Sequence, residues 1–279
     1  MLGQYLIAFR ESFEAALVTA IILSYLARNK RLSLARYVLY GASSAIVLSI
    51  SLGAAVWFIY GILSETFKLL FEALTAFIAV VVLSSMIYWM ASKGRRLREE
   101  MERKVEVAAS RGTVVGLALL GFILVFREGF ETLLFLTPFL LSDALGTLVG
   151  TSLGALTAVS LAYSVFILGM RINLQRFFYF TSMMLILIAG GLMGYGTHEL
   201  LEYYEENGLE AGWLSQPAYD LNIPTESLLH HKNLVGSVLG VMLGYTTSAE
   251  WARVILHASY LAVTLPLTIR AYGRKGLKD

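Results

Sequence analysis

The chain alternates long apolar stretches with short polar links. Seven stretches have the length of about 20 residues that a helix needs to cross a hydrocarbon layer about 30 Å thick. They lie at 2–26, 35–60, 69–91, 113–137, 147–169, 177–197 and 249–270. We therefore predict an all-α polytopic membrane protein with seven transmembrane helices, in which residues 1–279 form a single transmembrane domain.

Composition supports this prediction. Hydrophobic residues make up 57% of the 279 positions and charged residues only 15%, whereas soluble domains average about 25% charged residues. The first apolar stretch has no basic segment before it and no small-residue cleavage site, so we expect it to be retained rather than removed as a signal peptide. The chain has no cysteine, which excludes disulfides and thiolate metal sites.

Basic residues are concentrated in every second link between the apolar stretches. Seventeen of the 22 Lys and Arg residues lie in the links after the first, third and fifth stretches and in the C-terminal tail. Cytoplasmic links of membrane proteins carry this excess of positive charge. We therefore expect the N-terminus outside, the C-terminus inside, and a multi-pass location in a plasma membrane, in particular a prokaryotic inner membrane.

One nine-residue motif occurs twice. F-R-E-S-F-E-A-A-L at 9–17 and F-R-E-G-F-E-T-L-L at 126–134 are identical in six positions and lie in the first and fourth stretches. Three spans separate the copies, and an odd number reverses the direction of crossing, which predicts a 3+3 inverted repeat plus one extra helix. The predicted parts are a first repeat at 1–92, a basic cytoplasmic linker at 93–112, a second repeat at 113–200, an acidic external segment with a short helix at 201–248, and the seventh helix and cytoplasmic tail at 249–279.

The repeated motif places ionisable groups at the depth of the hydrocarbon. Each such group costs about 2.5–3.5 kcal/mol at the bilayer centre, so charged residues in spans face the bundle interior and each other. The two copies contribute Arg10, Glu11, Glu14, Arg127, Glu128 and Glu131. If all six ionise, their net charge is minus two, which is unfavourable unless protons or a metal cation complete the site. The motif thus predicts a cation site, and the alternative is a pair of ion-pair clips between two helices.

Three further residues are candidate metal ligands at the outer ends of the spans. They are Glu72, His198 and Glu199, and ordinary interfacial polarity is the alternative explanation for each. Carboxylate ligands without thiolates suit hard or borderline cations such as iron, manganese, magnesium or calcium, and an imidazole favours a transition metal. The link from 198 to 250 holds eight acidic residues and one lysine, a charge distribution that attracts cations.

The two R-E-x-x-E motifs in a seven-span chain resemble the high-affinity iron permeases of the oxidase-dependent iron transporter family. F-E-A-L-T-A-F-I-A-V-V-V-L at 71–83, G-T-H-E-L at 196–200 and G-S-V-L-G-V-M-L-G-Y at 236–245 support the resemblance. It implies an iron permease that moves iron into the cytoplasm. The ligands that it implies are Glu11, Glu14, Glu128 and Glu131, with Arg10 and Arg127 as their organising partners. The third residue of the motif is often glycine in that family, as Gly129 is in the second copy, and Ser12 departs from this pattern in the first copy.

The resemblance implies iron as a transported substrate, no cofactor, and no enzymatic activity. The expected partners are iron ions, the lipid bilayer and a separate ferroxidase or iron-delivery protein, and no nucleic acid. A transporter of another divalent metal such as manganese is the main alternative. An intramembrane phosphatase is disfavoured because no nucleophilic Ser or His stands beside a glycine-rich loop near either motif, and an organic cation carrier is a further alternative.

Overall fold

Seven long helices make up most of the residues that the structure describes. The computed structural model describes residues 1–93, 103–107, 114–166, 173–209, 211–224, 226–227, 236, 239–240 and 244–276. The helices are α1 (Leu2–Arg28), α2 (Ala35–Gly61), α3 (Glu65–Lys93), α4 (Val114–Ser142), α5 (Ala144–Phe166), α6 (Leu174–Glu206) and α7 (Trp251–Gly276). Five of them, α2, α3, α5, α6 and α7, are long and apolar enough to cross a membrane. The other two, α1 and α4, carry the motif charges near their middles.

The described residues also contain structure that the all-α prediction omitted. Strands β1 (Pro217–Asp220) and β2 (Ser248–Glu250) pair antiparallel beside the start of α7, and 3₁₀ turns occupy Leu32–Leu34 and Gly212–Ser215. Helix α6 runs nine residues past the predicted end at 197. Most of the linker predicted over 93–112, and part of the short helix predicted within 201–248, lie outside the described residues.

Helices pair across the two halves of the chain. Helix α1 packs mainly against α5, α2 mainly against α4, and α3 against α6, while α7 lies on α6. Small residues permit the close contacts: a Cβ atom added to Gly154 would lie 2.5 Å from the Tyr5 carbonyl oxygen, and one added to Gly121 would lie 2.5 Å from that of Val38. The motif helices α1 and α4 also contact each other directly.

Two apolar clusters enclose the repeated motif along the bundle axis. One cluster contains Ile7 and Phe135 and involves α1, α3, α4 and α6. The other contains Leu17 and Leu117 and involves α1, α2, α3, α4 and α6. On α1 and on α4 the motif lies between these clusters, so its charges form a polar layer in the middle of the core. Helices α1, α3, α5 and α7 all begin at the same end of the bundle, and we call this end the N-terminal end.

Large apolar side chains cover the outside of the bundle. Phe58 on α2 is 72% exposed, and Leu145 and Leu156 on α5 are 76% and 65% exposed. Apolar surface of this extent marks a surface that contacts lipid or another protein. The exposed faces of these helices therefore agree with a multi-pass membrane protein.

Candidate metal centre in the middle of the bundle

The first motif forms a closed ion-pair arrangement on α1. Arg10 has no solvent exposure. Its Nη1 atom lies 2.6 Å from Oε1 of Glu11, and its Nη2 atom lies 2.7 Å from Oε1 of Glu14. The pair with Glu14 follows from the four-residue spacing, which places both side chains on one helical stripe. One planar guanidinium thus holds two buried carboxylates through different nitrogen atoms.

The second motif, on α4, is more open. Nε of Arg127 lies 2.9 Å from Oε1 of Glu131 and 4.0 Å from Oε1 of Glu128. The Arg127 side chain is 43% exposed, and its guanidinium carbon lies 4.7 Å from the ring centroid of Trp89 on α3, which is a cation–π distance. The two copies therefore share a sequence but differ in burial and in partners.

Three carboxylates from the two motifs converge between α1 and α4. Glu11, Glu128 and Glu131 each offer one oxygen, and these oxygens all lie within 4.8 Å of one another. We call these residues the carboxylate trio. Three ligands spaced evenly around a cation, with bonds of about 2.1 Å, are about 3.6 Å apart. Shifts of less than about 1 Å, which side-chain rotations can supply, would therefore bring all three oxygens onto one ion.

Each member of the trio also has an oxygen to spare. Within the described part of the chain, Oε2 of Glu11, of Glu128 and of Glu131 is buried and has no hydrogen-bond partner. Buried polar atoms without partners are rare in folded proteins and call for an explanation, such as an ion or water. A cation held by these carboxylates would supply the partner that each spare oxygen lacks.

Glu14 stands outside the trio. Its carboxylate is 4% exposed and pairs with Arg10, so it is placed to balance the charge of the arginine rather than to share the convergence point of the trio. Two guanidiniums and four carboxylates leave a net charge of minus two when all ionise. Repulsion between like charges in a poorly solvated interior disfavours that state, and a bound divalent cation would remove the excess.

Glu72 lies apart from the trio, near the N-terminal end of the bundle. It is 8% exposed, and its two carboxylate oxygens accept hydrogen bonds from the phenols of Tyr60 on α2 and Tyr195 on α6. Sequence reasoning did not identify these tyrosines, because nothing in the spacing of α2 and α6 shows that both helices end beside the start of α3. Glu199, one turn after Tyr195, is also buried, at 9% exposure.

His198 faces the start of α7. Its Nδ1 atom lies 2.8 Å from Oε1 of Glu250 on β2, and its Nε2 atom lies 3.9 Å from Glu202. The hydrogen bond from His198 holds the pKa of the Glu250 carboxyl below its usual range. Among the residues that the structure describes, the carboxylate trio is the one group of three acidic or histidine side chains with metal-compatible spacing. His198, Glu199 and Glu72 are not brought into such a group.

The chain is similar to known proteins over nearly its whole length. Residues 1–270 match the iron permease FTR1 family. An uncharacterized protein of Archaeoglobus fulgidus is 45% identical over 98% of this chain and 96% of its own length. The ferrous iron permeases EfeU of Escherichia coli O6:H1 and of Yersinia pestis are 31% and 30% identical, over 95% and 96% of this chain and 94% and 93% of their own. No solved structure matches. The chain therefore belongs to the iron permease FTR1 family.

Proposed function

We propose that this protein carries ferrous iron across the plasma membrane into the cytoplasm and binds the ion between its two R-E-x-x-E motifs. The observation that carries the proposal is the carboxylate trio, in which α1 and α4 each contribute ligands and three buried oxygens lack partners. Relatives named as ferrous iron permeases align with nearly the whole chain. Carboxylate oxygens are suitable ligands for ferrous iron.

Charge balance favours a divalent ion. The six motif side chains sum to minus two when ionised, so one Fe(II) neutralises the site, whereas Fe(III) would leave one positive charge in a low-dielectric interior. Inward movement of a divalent cation across 100 mV gains about 4.6 kcal/mol, because each elementary charge contributes about 2.3 kcal/mol. The membrane potential can therefore drive uptake.

The arginines organise the ligands. Arg10 holds Glu11 at the edge of the trio and uses Glu14 as its second partner. Arg127 holds Glu131. A guanidinium therefore orients one carboxylate of the trio on each helix. These ion pairs hold the carboxylates in position for an ion although the carboxylates repel one another. The ion-pair clip is in this view part of the binding site, not an alternative to it.

The helix pairing supports an inverted repeat as the transport framework. In a 3+3 repeat, α1 corresponds to α4 and α2 corresponds to α5. The contact between α1 and α5 then corresponds to the contact between α4 and α2, and these are the two most extensive helix pairings among the described residues. With the N-terminus outside, α1 and α4 then cross in opposite directions and meet at the trio, as in transporters whose binding site lies at a repeat interface. The acidic segment near Glu72, His198 and Glu199 would concentrate cations at the outer end.

Uptake of radioactive iron into proteoliposomes tests the proposal. Iron is supplied as Fe(II) or as Fe(III), with an inside-negative potential, and Glu11→Gln and Glu131→Gln variants are compared with wild type. Gln removes one charge and keeps the side-chain shape. We expect wild type to take up Fe(II) and each variant to lose at least nine-tenths of the rate.

A matched control separates the motif from general effects of charge. Glu65 is exposed and pairs with Lys68, so Glu65→Gln removes a carboxylate from the bundle surface and should transport normally. Wild-type rates in both trio variants would refute the binding site. If wild type took up Mn(II) but not Fe(II), the protein would be a transporter of manganese rather than iron. A site made of carboxylate oxygens also suits manganese.

A further inference from the structure

Three buried oxygens without partners lie on the two helices of the α1–α5 contact. They are Oε1 of Gln4, Oγ1 of Thr147 and Oγ1 of Thr151, and none has a hydrogen-bond partner among the described residues. Gln4 and Thr147 are each 4% exposed. Buried oxygens in this state destabilise a protein unless water or an ion satisfies them.

The two threonines differ from most of the threonines in the described helices. In seven other helical threonines the hydroxyl bonds to the carbonyl oxygen four residues earlier, the usual solution for a threonine in a helix. This holds for Thr19, Thr132, Thr137, Thr157, Thr181, Thr197 and Thr264. The hydroxyls of Thr147 and Thr151 lack that bond, so they remain available for another partner.

The three oxygens lie between the N-terminal end of the bundle and the trio. Gln4 precedes Glu11 by seven residues, which puts both on one stripe of α1 about 10 Å apart along the axis. On α5, Gly150 follows Thr147 by about one turn and faces Gln4, because a Cβ added there would lie 3.1 Å from the Cβ of Gln4. A cation moving along this contact would meet these oxygens before it reached Glu11.

The related contact in the other half of the chain allows a comparison. A Cβ on Gly150 would approach Met1 and Tyr5, and a Cβ on Gly41 would approach Ala118 and Phe122. Ala118 and Phe122 follow Met1 and Tyr5 by 117 residues, the separation of the two motifs. Gly41 on α2 therefore corresponds to Gly150 on α5.

The three polar side chains have no polar counterpart at the equivalent positions of the α2–α4 contact. The positions of Thr147 and Thr151 are taken by Val38 and Ala42, and the position of Gln4 is taken by Gly121. Val38 is fully buried and belongs to an apolar cluster. The contact between α2 and α4 is thus apolar where the contact between α1 and α5 is polar.

We propose that Gln4, Thr147 and Thr151 form a dehydration site for a divalent cation on its way to the trio. Amide and hydroxyl oxygens are ligands for hard cations, and they also accept hydrogen bonds from the water molecules around an ion. Because they are uncharged, they replace part of the hydration shell without retaining the ion. The carboxylates of the trio, two turns further on, then bind it. This inference rests on the proposed function.

The test uses a triple variant, Gln4→Met with Thr147→Val and Thr151→Val, which keeps side-chain shape and removes the three oxygens. Thr157→Val is the control, because Thr157 is on the same helix and its hydroxyl bonds to the helix backbone. Three quantities are measured: the initial rate of Fe(II) uptake into proteoliposomes, equilibrium Fe(II) binding in detergent, and the melting temperature.

We expect the triple variant to lose at least tenfold in uptake rate, to bind Fe(II) within twofold of wild type, and to melt at the same temperature or higher. The last expectation follows because replacing unpaired buried polar atoms by apolar groups of the same shape is neutral or stabilising. The control should match wild type in all three measurements. If the triple variant does not fold, the Thr147→Val, Thr151→Val double variant takes its place with the same expectations.

Two results would overturn the inference alone. Wild-type uptake by a folded triple variant would show that the oxygens do not act on the ion. Slower uptake with a lower melting temperature would show that they hold structural water instead. Absence of Fe(II) uptake by wild type would overturn the proposed function, and the inference with it.

Discussion

Arg10 and Arg127 occupy equivalent positions in the two motifs, yet the structure predicts that replacing them with lysine has unequal effects. Arg10 is fully buried and forms ion pairs with two carboxylates through separate nitrogens, whereas Arg127 is 43% exposed and has one close carboxylate. A lysine has one compact ammonium and cannot reproduce a planar fork. Arg10→Lys therefore leaves one buried carboxylate without its partner.

The expected difference follows from these contacts. Loss of one hydrogen bond to a buried charged group costs about 1.5–3 kcal/mol, which we take as the free energy lost in Arg10→Lys. Arg127 has one such bond, to Glu131, which a lysine ammonium can still pair with, so Arg127→Lys should cost about 0.5–1 kcal/mol. A difference of about 2 kcal/mol corresponds to about 4–8 °C in melting temperature for a chain of this size.

Thermal inactivation in detergent measures this difference. Aliquots are heated at one rate, and the fraction that stays monodisperse is read by size-exclusion chromatography. Arg36→Lys is the control, because Arg36 is exposed and its guanidinium lies against the ring of the neighbouring Tyr37. We expect Arg10→Lys to melt lowest and to lose Fe(II) uptake. An equal or larger fall in the melting temperature of Arg127→Lys would refute the reasoning.

Two other predictions concern helix packing and the attachment of the external segment. Gly154→Ala should lower the melting temperature by several degrees, because its Cβ would lie 2.5 Å from the Tyr5 carbonyl oxygen and overpacking costs about 1–3 kcal/mol. Gly61→Ala is the control and should leave the melting temperature unchanged, because no described atom would lie within 4 Å of its Cβ. Equal effects of the two substitutions would contradict the packing argument. The lowered pKa of Glu250 beside His198 stabilises the fold above the unfolded pKa of about 4.3, and this contribution is lost as pH falls through the folded pKa. Between pH 3 and 7, the melting temperature of Glu250→Gln should therefore change less with pH than that of wild type. The same pH profile in both proteins would show that the Glu250–His198 pair does not contribute to stability.

The seven long helices could be predicted from hydropathy, because a bilayer-spanning segment must satisfy its backbone internally and present apolar side chains. Each of the seven predicted apolar stretches coincides with a helix. The predicted and observed bounds differ at the helix ends, because a polar residue there can belong either to the helix or to the link. Helix α6 continues through His198 and Glu199 for this reason. The family could also be predicted, since the doubled motif is a local sequence feature.

Pairing of the acidic residues could not be predicted from spacing. Helical periodicity places Arg10 and Glu14 on one stripe, but it does not say that Glu11 rather than Glu14 joins Glu128 and Glu131. That choice depends on the rotation of α1 against α4, which packing against α5 and α2 determines. The same applies to Glu72, whose tyrosine partners come from two helices distant in sequence.

By itself, the sequence determined a chain of seven apolar helices with one charged motif repeated in two of them, because hydropathy and motif identity are properties of neighbouring residues. Only the tertiary structure decided which carboxylates converge, that Arg10 is buried while Arg127 is half-exposed, and that unpaired oxygens lie on one side of the site. The physical reason is that identical local sequences acquire different burial and different partners from the helices packed around them.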